Sequence, residues 1–146
     1  MDQVHGYFVG LDLGQVQDYT ALAVIEAADT QGEWDPVNLY FRRHRELRLR
    51  YLERMPLGRP YPEMVARTGQ VMRSGELVSA SRYLAVDGTG VGRPVVDLLR
   101  QQKLPCLLWP AVITGGHADG FYRVPTRELL RSGELRIAAD VPGRRA

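Results

Sequence analysis

YFVGLD, at residues 7–12, is an apolar run that ends on a carboxylate and turns on a glycine two residues later. A second run, YLAVD at residues 83–87, ends in the same way and is followed by the turn sequence GTG. Both runs are typical of buried β-strands. If the two strands lie side by side, Asp12 and Asp87 meet at one edge of a sheet, where paired carboxylates suit a hard divalent cation.

Composition is that of an ordinary soluble globular protein, with 45% hydrophobic and 25% charged residues. The 146 residues suffice for one core, so residues 1–146 are expected to form a single domain. No apolar stretch approaches the roughly 20 residues that span a bilayer, and we see no secretory signal. Cys106 is the only cysteine, which excludes an internal disulfide and a thiolate zinc cluster and favours a reducing cytoplasm.

The order of predicted elements is β-β-β-α-β-α-β-α-β. Hydrophobic periodicity and turn residues place strands at 7–12, 20–27 and 37–43, a helix at 60–75, a strand at 83–87, a helix from 90, a strand at 104–113, a short helix at 125–131 and a last strand at 135–138. The prolines of the 104–113 strand favour an edge position. Residues 45–59 fit either a continued strand or a loop with a helical turn, and 141–146 are expected to be a flexible tail.

This order predicts an α/β fold: an antiparallel meander of three strands followed by α-β-α-β units in one mixed sheet, with helices packed on it. The turn at 29–35 is expected to separate the second and third strands. The glycine-rich stretch 114–120 offers His117 and Asp119 as possible ligands, although an ordinary surface loop is the simpler interpretation.

The acidic residues each have a structural alternative. Asp12 and Asp87 could cap the turns that follow them, and two occurrences of one pattern bring a shared cation site to about even odds with that alternative. Asp18 and Thr20 lie in the turn between the first two strands, where they could support the site or tighten the hairpin.

Net charge is only +2, yet arginines crowd one segment. Arg42, Arg43 and Arg45 begin it, the cluster continues to Arg59, and Arg93 follows the second acidic run. These four residues are the first candidates for contact with a phosphate backbone, and the whole cluster from Arg42 to Arg59 is the wider candidate. A solvated connector with protruding arginines is the alternative for the segment that begins at Arg42.

The motifs resemble the nuclease domain of the large terminase subunit of tailed phages. FVGLDLGQVQDYTALAV at 8–24 resembles the opening of that domain, and LAVDGTGVGRPVVDLL at 84–99 resembles its second acidic motif. ITGG at 113–116, YRVP at 122–125 and GELRI at 133–137 follow in matching order. The resemblance covers nearly the whole chain, and the two acidic motifs are specific together rather than singly.

The resemblance implies a ribonuclease H-like fold and an endonuclease that cleaves double-stranded DNA during genome packaging. It implies two divalent cations, Mg²⁺ or Mn²⁺, held by acidic residues that include Asp12 and Asp87, with Asp18, Thr20 and Thr89 in support. It also implies a phage- or prophage-encoded protein of the bacterial cytoplasm, with other terminase or portal components as partners.

The sequence departs from the family in ways that bear on activity. The third acidic residue of the family lies in a later helix with a stretch like His-Asp-Asp, and no such stretch occurs here. Because the third acidic residue would lie in that helix, the chain looks truncated before its final helix. The ATPase motor domain is also absent. Another protein, or self-association through an uncovered sheet face, could supply the missing acid. Two other functions stay open: a non-catalytic DNA-binding remnant, and a fragment of an actin-like or sugar-kinase ATPase.

Overall fold

The computed structural model describes residues 2–14, 17–87, 92–111, 113–114, 117–118, 126–139 and 141. Within them eight strands and three helices alternate in the predicted order, apart from one added hairpin. The elements are β1 (Gln3–Asp12), β2 (Ala21–Asp35), β3 (Tyr40–Arg54), α1 (Tyr61–Met72), β4 (Ser81–Asp87), α2 (Gly92–Gln101), β5 (Leu107–Ala111), β6 (Ile113–Thr114), β7 (His117–Ala118), α3 (Thr126–Ser132) and β8 (Leu135–Ile137).

Six strands form one mixed sheet in the order β5-β4-β1-β2-β3-β8. β1, β2 and β3 are an antiparallel meander. β4 is parallel to β1, β5 is parallel to β4, and β8 is parallel to β3. The predicted α/β fold with a meander and parallel additions is therefore confirmed, and the proline-containing β5 lies at an edge as expected.

The meander is longer than the sequence indicated. The predicted turn at 29–35 is wrong, because β2 continues to Asp35 and the chain reverses at 36–39. Asp35 makes this turn: its carboxylate accepts hydrogen bonds from the backbone N–H groups of Val37 and Asn38 and from the Asn38 amide. These bonds, those from Asn38 first, hold the pKa of Asp35 below its ordinary value. Leu39 has a φ of 56°, which few residues other than glycine adopt, so local composition hides the turn.

β2 and β3 extend past the start of β1, and over this extension they pair only with each other among the described residues. Gln3, near the start of β1, is opposite Asp29, and the pairing of β2 with β3 runs on from there to the turn. Residues 30–35 and 40–44 are called the ribbon below. Trp34 and Phe41 pack edge to face across it, with ring centroids 4.9 Å apart.

Residues 45–59, left open by the sequence, are strand up to Arg54. The described part of the glycine-rich stretch is a two-stranded hairpin, with Thr114 opposite His117, rather than a plain loop. Asp119 lies outside the described residues. Of the predicted tail only Val141 is described; it is buried and its N–H donates to the carbonyl of Ala138.

The core lies on one side of the sheet, between the strands and helices α1 and α2. Alternate residues of the central strands, Val9 and Leu11 in β1 and Leu84 and Val86 in β4, are at most 2% exposed. They pack with fully buried side chains of the helices, including Val65, Met72, Val95 and Leu99. Each such burial contributes about 1.5–3 kcal/mol. In the part of the chain described, no helix is long and apolar enough to cross a membrane.

The opposite face, called the open face, carries the other set of alternate residues. Phe8 and Tyr83 are register partners on β1 and β4, and their rings stack with centroids 4.8 Å apart while each stays more than a third exposed. Leu107 continues the same row on β5 at 65% exposure, and Leu52 of β3 is 47% exposed. One side of this sheet is thus apolar and accessible.

The turn after β1 folds back tightly on itself. A Cβ atom added at Gly14 would collide with the backbone of Asp18 and Tyr19, so only glycine fits there. The N–H of Gly14 donates to the Thr20 hydroxyl at 3.0 Å. Thr20 is buried; its hydroxyl donates to the Met64 sulfur at 3.2 Å, and its carbonyl accepts from the N–H of Met55. Thr20 therefore joins this turn to α1 and to the end of β3.

Gly14→Ala is expected to destabilise the chain by about 1–3 kcal/mol, the usual effect of overpacking, because the turn backbone must shift. Gly10→Ala is the matched control, since a Cβ atom there would meet no atom within 4 Å. Urea unfolding followed by circular dichroism measures both. Equal midpoints for the two variants would contradict the tight turn.

Candidate metal centre

Parallel pairing of β1 with β4 brings the two predicted carboxylates together. Asp12 and Asp87 are register partners and each is the last residue of its strand. Adjacent strands lie about 4.8 Å apart, and register partners point to the same side of the sheet. Both aspartates are therefore neighbours on the open face, at the edge where β1 and β4 end.

A shallow cavity of about 410 Å³ surrounds this pair. Its lining consists mostly of small or strand-buried residues: Gly10, Leu11, Asp12, Ala21, Ala23, Ala85, Val86, Asp87 and Ala111. Alanines and a glycine leave the floor close to the level of the backbone. Among the described residues that line it, the two carboxylates are the only charged groups.

Like charges crowd at this edge. The pKa of Asp12 is raised, first by desolvation of the carboxyl group at the strand end and then by the negative charges of Asp87 and Asp18. A divalent cation between Asp12 and Asp87 would offset this repulsion, and carboxylate oxygens are the ligands that Mg²⁺ and Mn²⁺ prefer. Asp12 and Asp87 thus offer two carboxylate ligands that suit such an ion.

A third protein ligand is not found in the described part of the chain. No group of three or more His, Cys, Asp or Glu side chains there could hold a metal ion together. Asp18 is exposed and lies close enough to act on the pKa of Asp12, since charges act over longer distances than coordination bonds. Asp18 is therefore near the pair without completing a three-residue site.

The other residues predicted to support the site fall into two groups. Thr20 is buried, and its hydroxyl is occupied by the Gly14 and Met64 contacts described above. It holds the turn that follows Asp12 rather than presenting a free hydroxyl. Thr89 lies outside the described residues.

Three of the four predicted DNA-contacting arginines are remote from the acidic pair. Arg45 is opposite Asp29, and Asp29 is opposite Gln3, nine residues before Asp12 on β1. At about 3.3 Å per residue that is roughly 30 Å. Arg42 and Arg43 lie farther along the ribbon. The structure does not bring these arginines to the two carboxylates.

Arg93 is exposed in the first turn of α2, which begins five residues after Asp87. It is thus the one predicted arginine whose place in the chain follows the end of an acidic strand.

Ion pairs along β2 and β3 have the acid inside and the arginine outside. Arg42 pairs with Asp35 at 3.3 Å, and their side chains are 60% and 7% exposed. Arg50 pairs with Glu26 at 3.5 Å, with 46% and 3% exposed. The carboxylates neutralise part of the charge that the sequence concentrates there, but the guanidinium groups form the outer surface. The arginine segment is therefore a strand with a basic exterior and not a solvated connector.

One arginine of the wider 42–59 cluster, outside the four first candidates, lies near the acidic pair. Arg54 is opposite Ala21, and Ala21 is opposite Asp12. The guanidinium carbon of Arg54 lies over the ring of Tyr19, 4.3 Å from its centroid. The sequence analysis could have placed Arg54 on the face of Asp12 only if it had predicted that β3 extends to residue 54, because alternate residues of a strand share a face.

Comparison with known proteins gives matches at the level of structure. No family model matches the sequence, and no curated protein matches it significantly. The fold is similar to the human cytomegalovirus terminase nuclease domain soaked with manganese, with a TM-score of 0.53, 14% identity, and coverage of 93% of this chain and 63% of that one. It is also similar to the large terminase nuclease of thermophilic phage G20c with bound zinc, with a TM-score of 0.51, 21% identity, and coverage of 93% and 65%.

These likenesses show the fold. The chain has the ribonuclease H-like architecture of terminase nuclease domains, which confirms the fold that the motifs implied. It spans slightly less than two thirds of the length of either nuclease, 63% and 65%. The first of those structures was soaked with manganese, and the second has bound zinc.

Asp12→Asn is expected to raise the melting temperature slightly in EDTA at neutral pH, because the amide removes repulsion with Asp87 and Asp18. The sign follows from the raised pKa of Asp12. Its charge costs stability once the pH exceeds the pKa of the unfolded chain, and the cost is complete above the folded pKa. The difference should therefore vanish in acid. Melting curves across the pH range measure it.

Manganese provides the complementary measurement. Mn²⁺ should raise the melting temperature of the unaltered chain, and more at neutral than at acidic pH, because protons compete for the carboxylates. Asp12→Asn should lose this response. An equal Mn²⁺ response in both proteins would place the ion elsewhere.

Proposed function

We propose that this chain is a metal-dependent endonuclease domain of the terminase type, which acts on double-stranded DNA. The observation that carries the proposal is the register of Asp12 with Asp87 at one edge of a ribonuclease H-like sheet. Similar folds from a herpesvirus and a phage, each a terminase nuclease crystallised with a divalent metal, support it.

Asp12 and Asp87 would hold Mg²⁺ or Mn²⁺, which, when bound, polarises water and the scissile phosphodiester and stabilises the leaving oxygen. The work of the chain itself is positional. The β1–β4 pairing fixes both carboxylates on one side of the sheet, and the Thr20 contacts hold the turn after Asp12. Because desolvation and the neighbouring negative charges already destabilise the ionised form of Asp12, a cation held there would offset that cost.

The shape of the site suits a duplex rather than a small nucleotide. Most of its lining residues are alanine or glycine, whose side chains are too small to form the apolar walls that enclose a small ligand. Such a surface can approach a phosphate backbone without gripping a base. The sequence of the DNA would then matter less than access to its backbone.

The remaining ligands and partners are part of the proposal. A further carboxylate from another terminase component, or from a second copy docked on the open face, would complete the coordination of the ion. Portal proteins and the cytoplasm of a phage-infected bacterium are the setting we propose. Arg42, Arg43 and Arg45 would contact the duplex far from the site of cleavage.

A non-catalytic DNA-binding module is the second candidate. The observation that favours it is the pair of carboxylates without a third ligand among the described residues. A site with two acidic ligands binds hard cations more weakly than one with three. This candidate predicts DNA binding without cleavage at any metal concentration.

Plasmid nicking in Mn²⁺ tests the two candidates. The unaltered chain should convert supercoiled plasmid to the nicked form. Asp12→Asn and Asp87→Asn should each lower the rate by more than the roughly 10–100-fold that loss of an outer-shell partner costs. Gel electrophoresis over a time course measures the rates.

Asp97→Asn is the matched control for this assay. Asp97 is an exposed aspartate of α2 that pairs with Arg100, so the variant removes the same charge away from β1 and β4. It should cleave at the unaltered rate. Cleavage by Asp12→Asn at the rate of Asp97→Asn would reject the nuclease assignment.

A further inference from the structure

We propose that Arg54, stacked on Tyr19, forms a phosphate-binding subsite beside the acidic pair. This inference rests on the proposed function for its substrate, the phosphodiester backbone of DNA. It concerns a different part of the surface, however, and can fail or stand independently of cleavage.

The position of Arg54 follows from strand register. Arg54, Ala21, Asp12 and Asp87 lie in one row across β3, β2, β1 and β4. Residues directly opposite each other share a face, so Arg54 belongs to the same side of the sheet as the two carboxylates. Two strand spacings, about 10 Å, separate it from Asp12. A DNA strand that crosses the acidic pair along this row would bring a neighbouring phosphate to Arg54.

The Tyr19 ring prepares this arginine for a phosphate. The guanidinium carbon lies over the ring, 4.3 Å from its centroid, which is a cation–π contact. The N–H donors of an arginine point outward in its plane, so a stacked arginine keeps its edges available for the oxygens of a phosphate. The stack also lowers the conformational entropy that binding must cost.

Arg54 differs in its partners from most arginines of β3. Arg42, Arg45, Arg48 and Arg50 each pair with a carboxylate, and Arg43 donates to the side-chain oxygen of Gln3. Among the described residues Arg54 pairs with no carboxylate, and its guanidinium contacts the Tyr19 ring. Its charge is therefore not neutralised by a neighbouring acid, although it lies in the row of the acidic pair.

The turn after β1 holds both members of the stack. Thr20 follows Tyr19, and its carbonyl accepts the N–H of Met55, the residue after Arg54. The two side chains are therefore anchored by adjacent, hydrogen-bonded backbone. Such anchoring is typical of binding groups that are positioned before the ligand arrives.

Binding of a short fluorescent DNA duplex, measured by anisotropy in Ca²⁺ as a function of salt, tests the subsite without turnover. Arg54→Ala should weaken binding by about tenfold to a hundredfold, as expected for loss of a hydrogen bond to a charged group. The dependence of log K on log salt should become about one unit shallower, since one phosphate contact is lost. Arg54→Lys should keep the salt slope but recover only part of the affinity, and Tyr19→Leu should give an intermediate loss.

Arg100→Ala is the matched control, because Arg100 is an exposed arginine of α2 on the helical side of the sheet. It should leave affinity and salt slope unchanged. Equal effects of Arg54→Ala and Arg100→Ala, or no binding by the unaltered chain, would overturn the subsite. If binding depends on Arg54 but no Mn²⁺ concentration gives cleavage, the nuclease proposal fails and the subsite stands. If cleavage occurs and Arg54→Ala binds normally, the reverse holds.

Discussion

Parallel pairing of β1 with β4 is the constraint on which the site depends. Burial of Val9 and Leu11 on one strand, and of Leu84 and Val86 on the other, decides which face each strand turns to the helices. A slip of one residue would move an entire set of side chains to the wrong face. Because the apolar residues cannot accept that slip, the carboxylates that follow them are held side by side. The core therefore positions the acidic pair without any direct bond between them.

The face that carries the carboxylates and Arg54 also exposes apolar side chains. Phe8 stacks on Tyr83 in the row where Leu107 also lies, and small residues separate this row from Asp12 and Asp87. Exposed apolar area of this kind is unusual on a soluble monomer and marks interaction surfaces. It places a candidate docking area immediately beside the proposed chemistry, so that anything bound there would lie close to the ion.

Much of this arrangement could be predicted from local sequence. The apolar runs at residues 7–12 and 83–87, each ending in aspartate and followed by a turn that contains glycine, indicated both strands and both carboxylates. The end of β2 could not be predicted in this way. Gly32 in a polar stretch is typical of a turn, whereas the observed turn depends on the Asp35 carboxylate and on Leu39 in a left-handed conformation. That error left the extent of β3 undecided. With it went the placement of the arginines, whose distances from Asp12 depend on long-range register.

Sequence proximity was a poor guide to the arginines for the same reason. Arg45 and Arg54 belong to one strand, yet the former lies in the row of Gln3, at the start of β1, and the latter in the row of Asp12. A cluster along a 15-residue strand is spread over the whole height of the sheet. Composition reports how many charges a segment has, and only pairing reports where they are.

The ribbon has a consequence for how motion is distributed. Each of its strands has one hydrogen-bonded neighbour in the described chain, whereas β1 is paired on both sides. Segments with few buried contacts open at a lower free energy than a central strand. The ribbon can therefore open locally while β1 stays paired and Asp12 stays in place. Opening at Trp34 and Phe41 would then leave the position of the two carboxylates unchanged.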